Sequence, residues 1–97
     1  MATYINLLKF TQRGIENIKE SPARLDAAKK LFRANGGELK AWYLVMGQYD
    51  AVVISEGPED MSAAKLALII GSLGSIRTET LRAFTEDEYR KLVASLP

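Results

Sequence analysis

Two runs of β-forming residues, 39–46 (LKAWYLVM) and 49–56 (YDAVVISE), are separated by only Gly47-Gln48. A two-residue loop led by Gly signals a hairpin, because Gly accepts the positive φ that a tight turn between twisted strands requires. With that loop, Met46 faces Tyr49, Leu44 faces Ala51 and Trp42 faces Val53 on one side. Val45 then faces Asp50, Tyr43 faces Val52 and Ala41 faces Ile54 on the other. Both sides are largely apolar, so the hairpin belongs to a sheet that is covered twice. At roughly 25 cal/mol per Å² of apolar surface, leaving several such side chains wet would forgo several kcal/mol.

The remaining elements follow from the same periodicities. Residues 3–10 (TYINLLKF) read as a first strand, with Ile5 and Leu7 on one face and Tyr4, Leu8 and Phe10 on the other. Residues 14–20 contain Ile15 and Ile18 at helical spacing. The main helix then opens with Ser21 as a capping residue and Pro22 at its first position. Leu25, Ala28, Leu31 and Phe32 form its apolar stripe, and Asn35-Gly36-Gly37 ends it. After the hairpin, Gly57-Pro58-Glu59-Asp60 starts a second helix, with its carboxylates at the favourable end of the helix dipole. Residues 66–70 make the C-terminal half of that helix apolar nearly all round, which serves either as core or as a further oligomer surface. Residues 76–84 (IRTETLRAF) are the fourth strand. Thr85 with Glu88 three positions on is a capping box launching a short C-terminal helix with Tyr89, Leu92, Val93 and Leu96 as its apolar residues.

The order β-α-β-β-α-β with a terminal helix is the ferredoxin-like split pattern, an α+β fold. Right-handed crossovers put both long helices on one face of a four-stranded antiparallel sheet of order 4-1-3-2. At 97 residues, with no linker and no repeat, the chain is read as one domain over positions 1–97. The helices cover one face only. The other is covered either by the sheet of a second copy, related by a two-fold axis, or by the C-terminal helix folded back as a lid. The partner sheet is the favoured reading.

Composition removes many chemistries. There is no Cys and no His, so thiolate nucleophiles, disulfides, imidazole bases, histidine-held haem and Cys/His metal sites are absent. No metal and no cofactor is expected. Thirteen Lys+Arg against twelve Asp+Glu leave +1, which gives no field to attract nucleic acid. The strand 3–10 also lacks the RNA-stacking pattern of an RNA-recognition sheet. No apolar run approaches the length of a membrane span, and the N-terminus has no basic region followed by an apolar stretch. The expectation is a cytoplasmic protein without membrane or nucleic-acid partners.

Several blocks together carry a family resemblance. Tyr4-Ile5, Gln12-x-Gly14-Ile15, Ser21-Pro22-x-Arg24, Gly36-Gly37, Gly47-x-Tyr49-Asp50, Glu56-x-Pro58 and residues 77–84 (RTETLRAF) resemble the GYD-domain family, from Tyr4 to Phe84. The resemblance implies the dimeric α/β-barrel superfamily, in which two ferredoxin-like sheets pair face to face. The family supplies no activity, cofactor or catalytic residues, and the fold alone is compatible with oxygenases, isomerases and ligand-binding domains.

Two places carry candidate chemistry. Asp50 precedes the apolar run Ala51-Val52-Val53-Ile54, so a partly desolvated carboxylate could serve as general base; the favoured reading is that it caps the turn or pairs with a strand-end base. Tyr49 beside it offers a phenol to a ligand or seals the barrel edge. On the fourth strand, Thr78, Thr80 and Arg82 share one face, next to Asn6 of the first strand. Pointed into a barrel, these four form a polar patch in an apolar cavity, suited to a small anionic or carbonyl ligand held in part by Arg82. Exposed, they are an edge strand kept polar. The leading expectation is a homodimer, or larger homo-oligomer, binding a small organic ligand through Asn6, Tyr49, Asp50, Thr78, Thr80 and Arg82. The alternatives are a cofactor-independent isomerase or oxygenase using Asp50, and a purely structural oligomer.

Overall fold

A computed structural model describes all 97 residues. The sheet order is β2-β3-β1-β4, all pairs antiparallel. Strand β1 is Ala2–Phe10, β2 is Glu38–Leu44, β3 is Ala51–Gly57 and β4 is Ile76–Ala83. Helix α1 is Gln12–Glu16, α2 is Ser21–Ala34, α3 is Asp60–Ser72 and α4 is Glu86–Ala94. The ferredoxin-like α+β arrangement expected from the element order is the one observed.

The hairpin register is as expected, but the expected Met46–Tyr49 pair does not form and the loop between the strands is longer than Gly47-Gln48. Trp42 pairs with Val53, Leu44 with Ala51, Tyr43 with Val52 and Ala41 with Ile54. Regular strand pairing stops at Leu44 and Ala51, although the Val45 N–H still reaches the Asp50 carbonyl at 2.9 Å. Gly47 carries the turn with φ of 113°, a conformation other residues rarely adopt.

One local expectation is corrected. Ser21 does not cap α2; it is the first residue inside it, and Glu20 precedes it with helical backbone and no side-chain cap. The reason is upstream. A 3₁₀ turn over Ile18–Glu20 runs directly into α2, so the chain is already coiled when it reaches Ser21. Pro22 stays in the first turn, where its missing N–H costs nothing. The Thr85–Glu88 capping box forms in full, with each residue's side chain accepting from the other's backbone N–H.

The sheet register assigns each side chain to a face. Tyr4, Leu8, Ala51, Val53 and Ser55 are buried on the side that carries α2 and α3. The opposite side presents Ile5, Leu7, Val52, Ile54, Tyr43 and Leu81. Tyr43 there is 61% exposed. Helix α4 does not fold back as a lid: none of its residues is buried, and Tyr89, Leu92 and Val93 remain exposed, as does Leu96 just beyond it. No helix of the single chain lies over the second face of the sheet, where Ile5, Leu7, Val52 and Ile54 are half-buried and Tyr43 and Leu81 are exposed.

Candidate functional site

The helices stand off the sheet far enough to leave a cavity of about 380 Å³ between them. Its walls are apolar: Leu25, Leu31 and Phe32 from α2, Leu66 and Ile70 from α3, and Trp42 from β2. This follows from the sequence, because the α2 stripe and the inward half of α3 both present branched side chains to the sheet. Small residues keep the space open: Ala27, Ala28, Ala63 and Ala67 line it too.

Across the floor runs a strip of hydrogen-bonded polar side chains from three adjacent strands. The Ser55 hydroxyl on β3 donates to the Asn6 side-chain oxygen on β1 at 2.7 Å. The Asn6 amide in turn donates to the Thr80 hydroxyl oxygen on β4 at 3.1 Å. Register makes this possible, since Asn6 lies directly opposite Thr80 and one pleat from Ser55's own partner, Tyr4. Thr78 is two residues along the same face of β4 and also lines the cavity. These are the few convergent polar groups that a small-molecule pocket uses to orient its occupant.

Asn6, Thr78 and Thr80 are thus brought together as the strand parities indicated. They face the helices, which corrects the expectation that they point into a barrel closed by a second sheet. Arg82 starts on the same face but lies beyond the cavity at the end of β4. Its guanidinium stacks on Phe84 with 4.5 Å to the ring centroid, and its Nε approaches Asp60 Oδ1 at 3.8 Å. It also donates to the backbone oxygens of Thr3 and Ala83.

Tyr49 and Asp50 lie elsewhere. Tyr49 donates to Glu79 Oε2 at 2.9 Å and carries Lys9 Nζ 5.4 Å above its ring, which puts it at the margin of the helix-free face. Sharing its proton with Glu79 pushes the Tyr49 phenol above the usual tyrosine range. The Asp50 carboxylate accepts the Phe10 N–H at 2.9 Å, while its own N–H donates to the Leu8 carbonyl at 2.8 Å. Asp50 therefore closes the end of β1 where regular pairing with β3 stops. Neither residue lines the cavity.

Sequence reasoning missed Tyr4 and Asp60. Tyr4, 3% exposed, lines the cavity, and its hydroxyl donates to Asp60 Oδ1 at 2.6 Å. Burial, with the carboxylate partner second, pushes the phenol up to about 12. Tyr4 was legible only as an apolar strand residue, because its partner is 56 positions away. Trp42, on the hairpin face it shares with Val53, is a cavity wall.

Comparison with known proteins places this geometry in a lineage. The GYD domain matches residues 4–93. A protein of Thermus thermophilus, "Glutamine synthetase and cystathionine beta-lyase binding protein", is 34% identical over 84 residues, covering 86% of this chain and 88% of the relative. A crystal structure of a Thermus thermophilus protein superposes with a TM-score of 0.56 at 24% identity, over 88% of this chain and 95% of the other; it supports the fold. With a domain match from Tyr4 to Val93 and a relative of this similarity, the chain belongs to the GYD-domain family.

Proposed function

We propose that the protein is a homo-oligomeric module that binds a small organic ligand in the cavity between its sheet and helices. The observation that carries this reading is the Ser55–Asn6–Thr80 strip lying on the floor of an otherwise apolar space. Polar side chains are costly in such a place unless they are hydrogen-bonded. Three of them aligned across three strands fit a site that orients a bound molecule. Asn6, Thr78 and Thr80 are the residues in position to touch it. Asp50 and Tyr49 stand outside the cavity, which argues for binding over base catalysis.

The helix-free sheet face supports the oligomer. Ile5, Leu7, Val52, Ile54, Tyr43 and Leu81 form one contiguous apolar area, and a second copy of the same area is its simplest complement. Native mass spectrometry beside a denatured run tests both halves of the proposal. A dimer carrying extra mass that disappears on denaturation is the expected result. A monomer in Ile54→Lys and in the wild type alike would overturn the oligomer, and a bare cavity that takes up no apolar probe would overturn the ligand.

A second reading is favoured by the exposed apolar side chains of the helices. Met61 and Leu68 on α3 with Leu73 just after it, and Tyr89 and Leu92 on α4 with Leu96 just after it, are exposed. By its name, the Thermus thermophilus relative binds two metabolic enzymes. An enzyme-binding role for this chain would use these stripes. Surface plasmon resonance with purified glutamine synthetase, repeated with Leu68→Glu and Leu92→Glu, tests it. Binding that neither substitution weakens removes the stripes from consideration.

A further inference from the structure

The direction of the hydrogen bonds across the cavity floor says what chemistry the occupant must present. Ser55 donates into Asn6, and Asn6 donates into Thr80. One lone pair of the Asn6 oxygen is thereby filled, and the strip leaves two donor hydrogens free: the hydroxyl hydrogen of Thr80 and the second amide hydrogen of Asn6. These two donors sit on directly opposed residues of neighbouring strands. An oxygen with two lone pairs can accept from both at once.

The charge of the lining narrows the class further. Only Arg24 and Glu56 among the cavity residues are ionised, and both are already engaged. Arg24 approaches Glu20 at 3.6 Å and donates to the backbone oxygens of Asn17 and Gly14. Glu56 pairs with Lys40 at 3.8 Å. A carboxylate or phosphate at the strip would find no free cation and would be stripped of water among Trp42, Leu66 and Phe32. A hydrocarbon without an acceptor would leave the two donors unanswered.

Resting on the reading of the cavity as a ligand site, we infer that its ligand is an uncharged molecule with an apolar body and one carbonyl group. The carbonyl oxygen accepts from Thr80 and Asn6, and the body fills the space between α2 and α3. This goes beyond the anionic-or-carbonyl choice left open by the sequence, because the cation that an anion would need, Arg82, is turned away to Asp60 and Phe84.

Trp42 supplies the readout, since it is the single tryptophan of the chain and a cavity wall. Its emission is titrated with three probes of matched size: butyrophenone, butylbenzene and 4-phenylbutanoate. Butyrophenone is expected to bind about tenfold more tightly than the other two, the worth of the hydrogen bonds that only it can form without bringing a charge. Thr80→Val should bring butyrophenone down to the level of butylbenzene without changing butylbenzene itself, and Thr80→Ser should keep the preference. Tightest binding of the carboxylate overturns the inference, as does equal binding of all three; either leaves the cavity as a ligand site of another class. Failure of all three probes to perturb Trp42 overturns the ligand reading together with the inference.

Discussion

The Tyr4 hydroxyl donates a 2.6 Å hydrogen bond to the Asp60 carboxylate, tying the first strand to the first turn of α3. The two ends of this bond live in different surroundings. Tyr4 is buried, whereas the Asp60 side chain is 79% exposed. Solvent competes at the carboxylate end, so Tyr4→Phe is expected to cost about 1 kcal/mol, below the roughly 1.5–3 kcal/mol of a well-shielded hydrogen bond to a charged group. Urea denaturation of the two proteins measures it.

The same phenol makes stability sensitive to alkali. In the folded chain it holds its proton to about 12, against 10.0 when free of the fold. The folded state therefore binds that proton more tightly. Its contribution is complete below about 10 and is lost as pH rises toward about 12. Absorbance titration of tyrosinate should show late ionisation from Tyr4 and Tyr49, of which only the Tyr4 share disappears in Tyr4→Phe.

Asp50 separates structural from catalytic carboxylates. Because it accepts the Phe10 N–H, Asp50→Ala should destabilise the fold by about 1–2 kcal/mol by leaving a strand-end donor unpaired. Asp50→Asn keeps an acceptor oxygen and should recover most of that loss. Chemical denaturation midpoints distinguish them. Should any turnover be found, its survival in Asp50→Asn would confirm that the carboxylate is an end-tie and not a base.

Gly14 owes its place to a close approach, not to backbone freedom. A Cβ there would lie 2.0 Å from the Ser75 carbonyl oxygen. The approach is fixed by two neighbouring bonds, from the Thr11 N–H to Ser75 and from the Thr11 hydroxyl to the Gly74 carbonyl at 2.6 Å. Gly14→Ala must push α1 off this loop. A loss of about 3 kcal/mol is expected, at the upper end of overpacking costs, with thermal denaturation as the measure.

Helix α4 leans heavily on its own cap, because none of its residues is buried. Thr85→Ala should cost about 1 kcal/mol of helix stability, seen as lost amide protection and coil-like carbon shifts over Glu86–Ala94 while the sheet is unchanged. The Thr85 backbone N–H holds the Glu88 carboxyl below the usual carboxylate range. That support is present above the ordinary glutamate pKa and fades as pH falls through the depressed value. Acid should fray α4 before the sheet melts.

Local physics settled a good part of this fold in the sequence. The hairpin register follows from where the turn is centred and from the two-residue period of a strand, and Thr85-x-x-Glu88 is a signal complete within one helical turn. The grouping of Asn6, Thr78 and Thr80 was legible for the same reason, once the order of strands was known. Ser21 misled because its role depended on whether the preceding turn was already coiled.

What the sequence left open was decided by approach between distant segments. Strand parity sorted residues into two faces without saying which one the helices would cover, and the crossovers put them on the face of Tyr4 and Asn6. Asp50 became a strand tie because β1 brought an unpaired N–H to it, and Arg82 became a stacking partner because Phe84 and Asp60 converge there. The cavity exists only because two helices with small residues on their inner sides stand off an apolar sheet. Turns, periods and caps are encoded within a few residues. Cavities and long-range partners arise only when the packed chain sets the distance between surfaces.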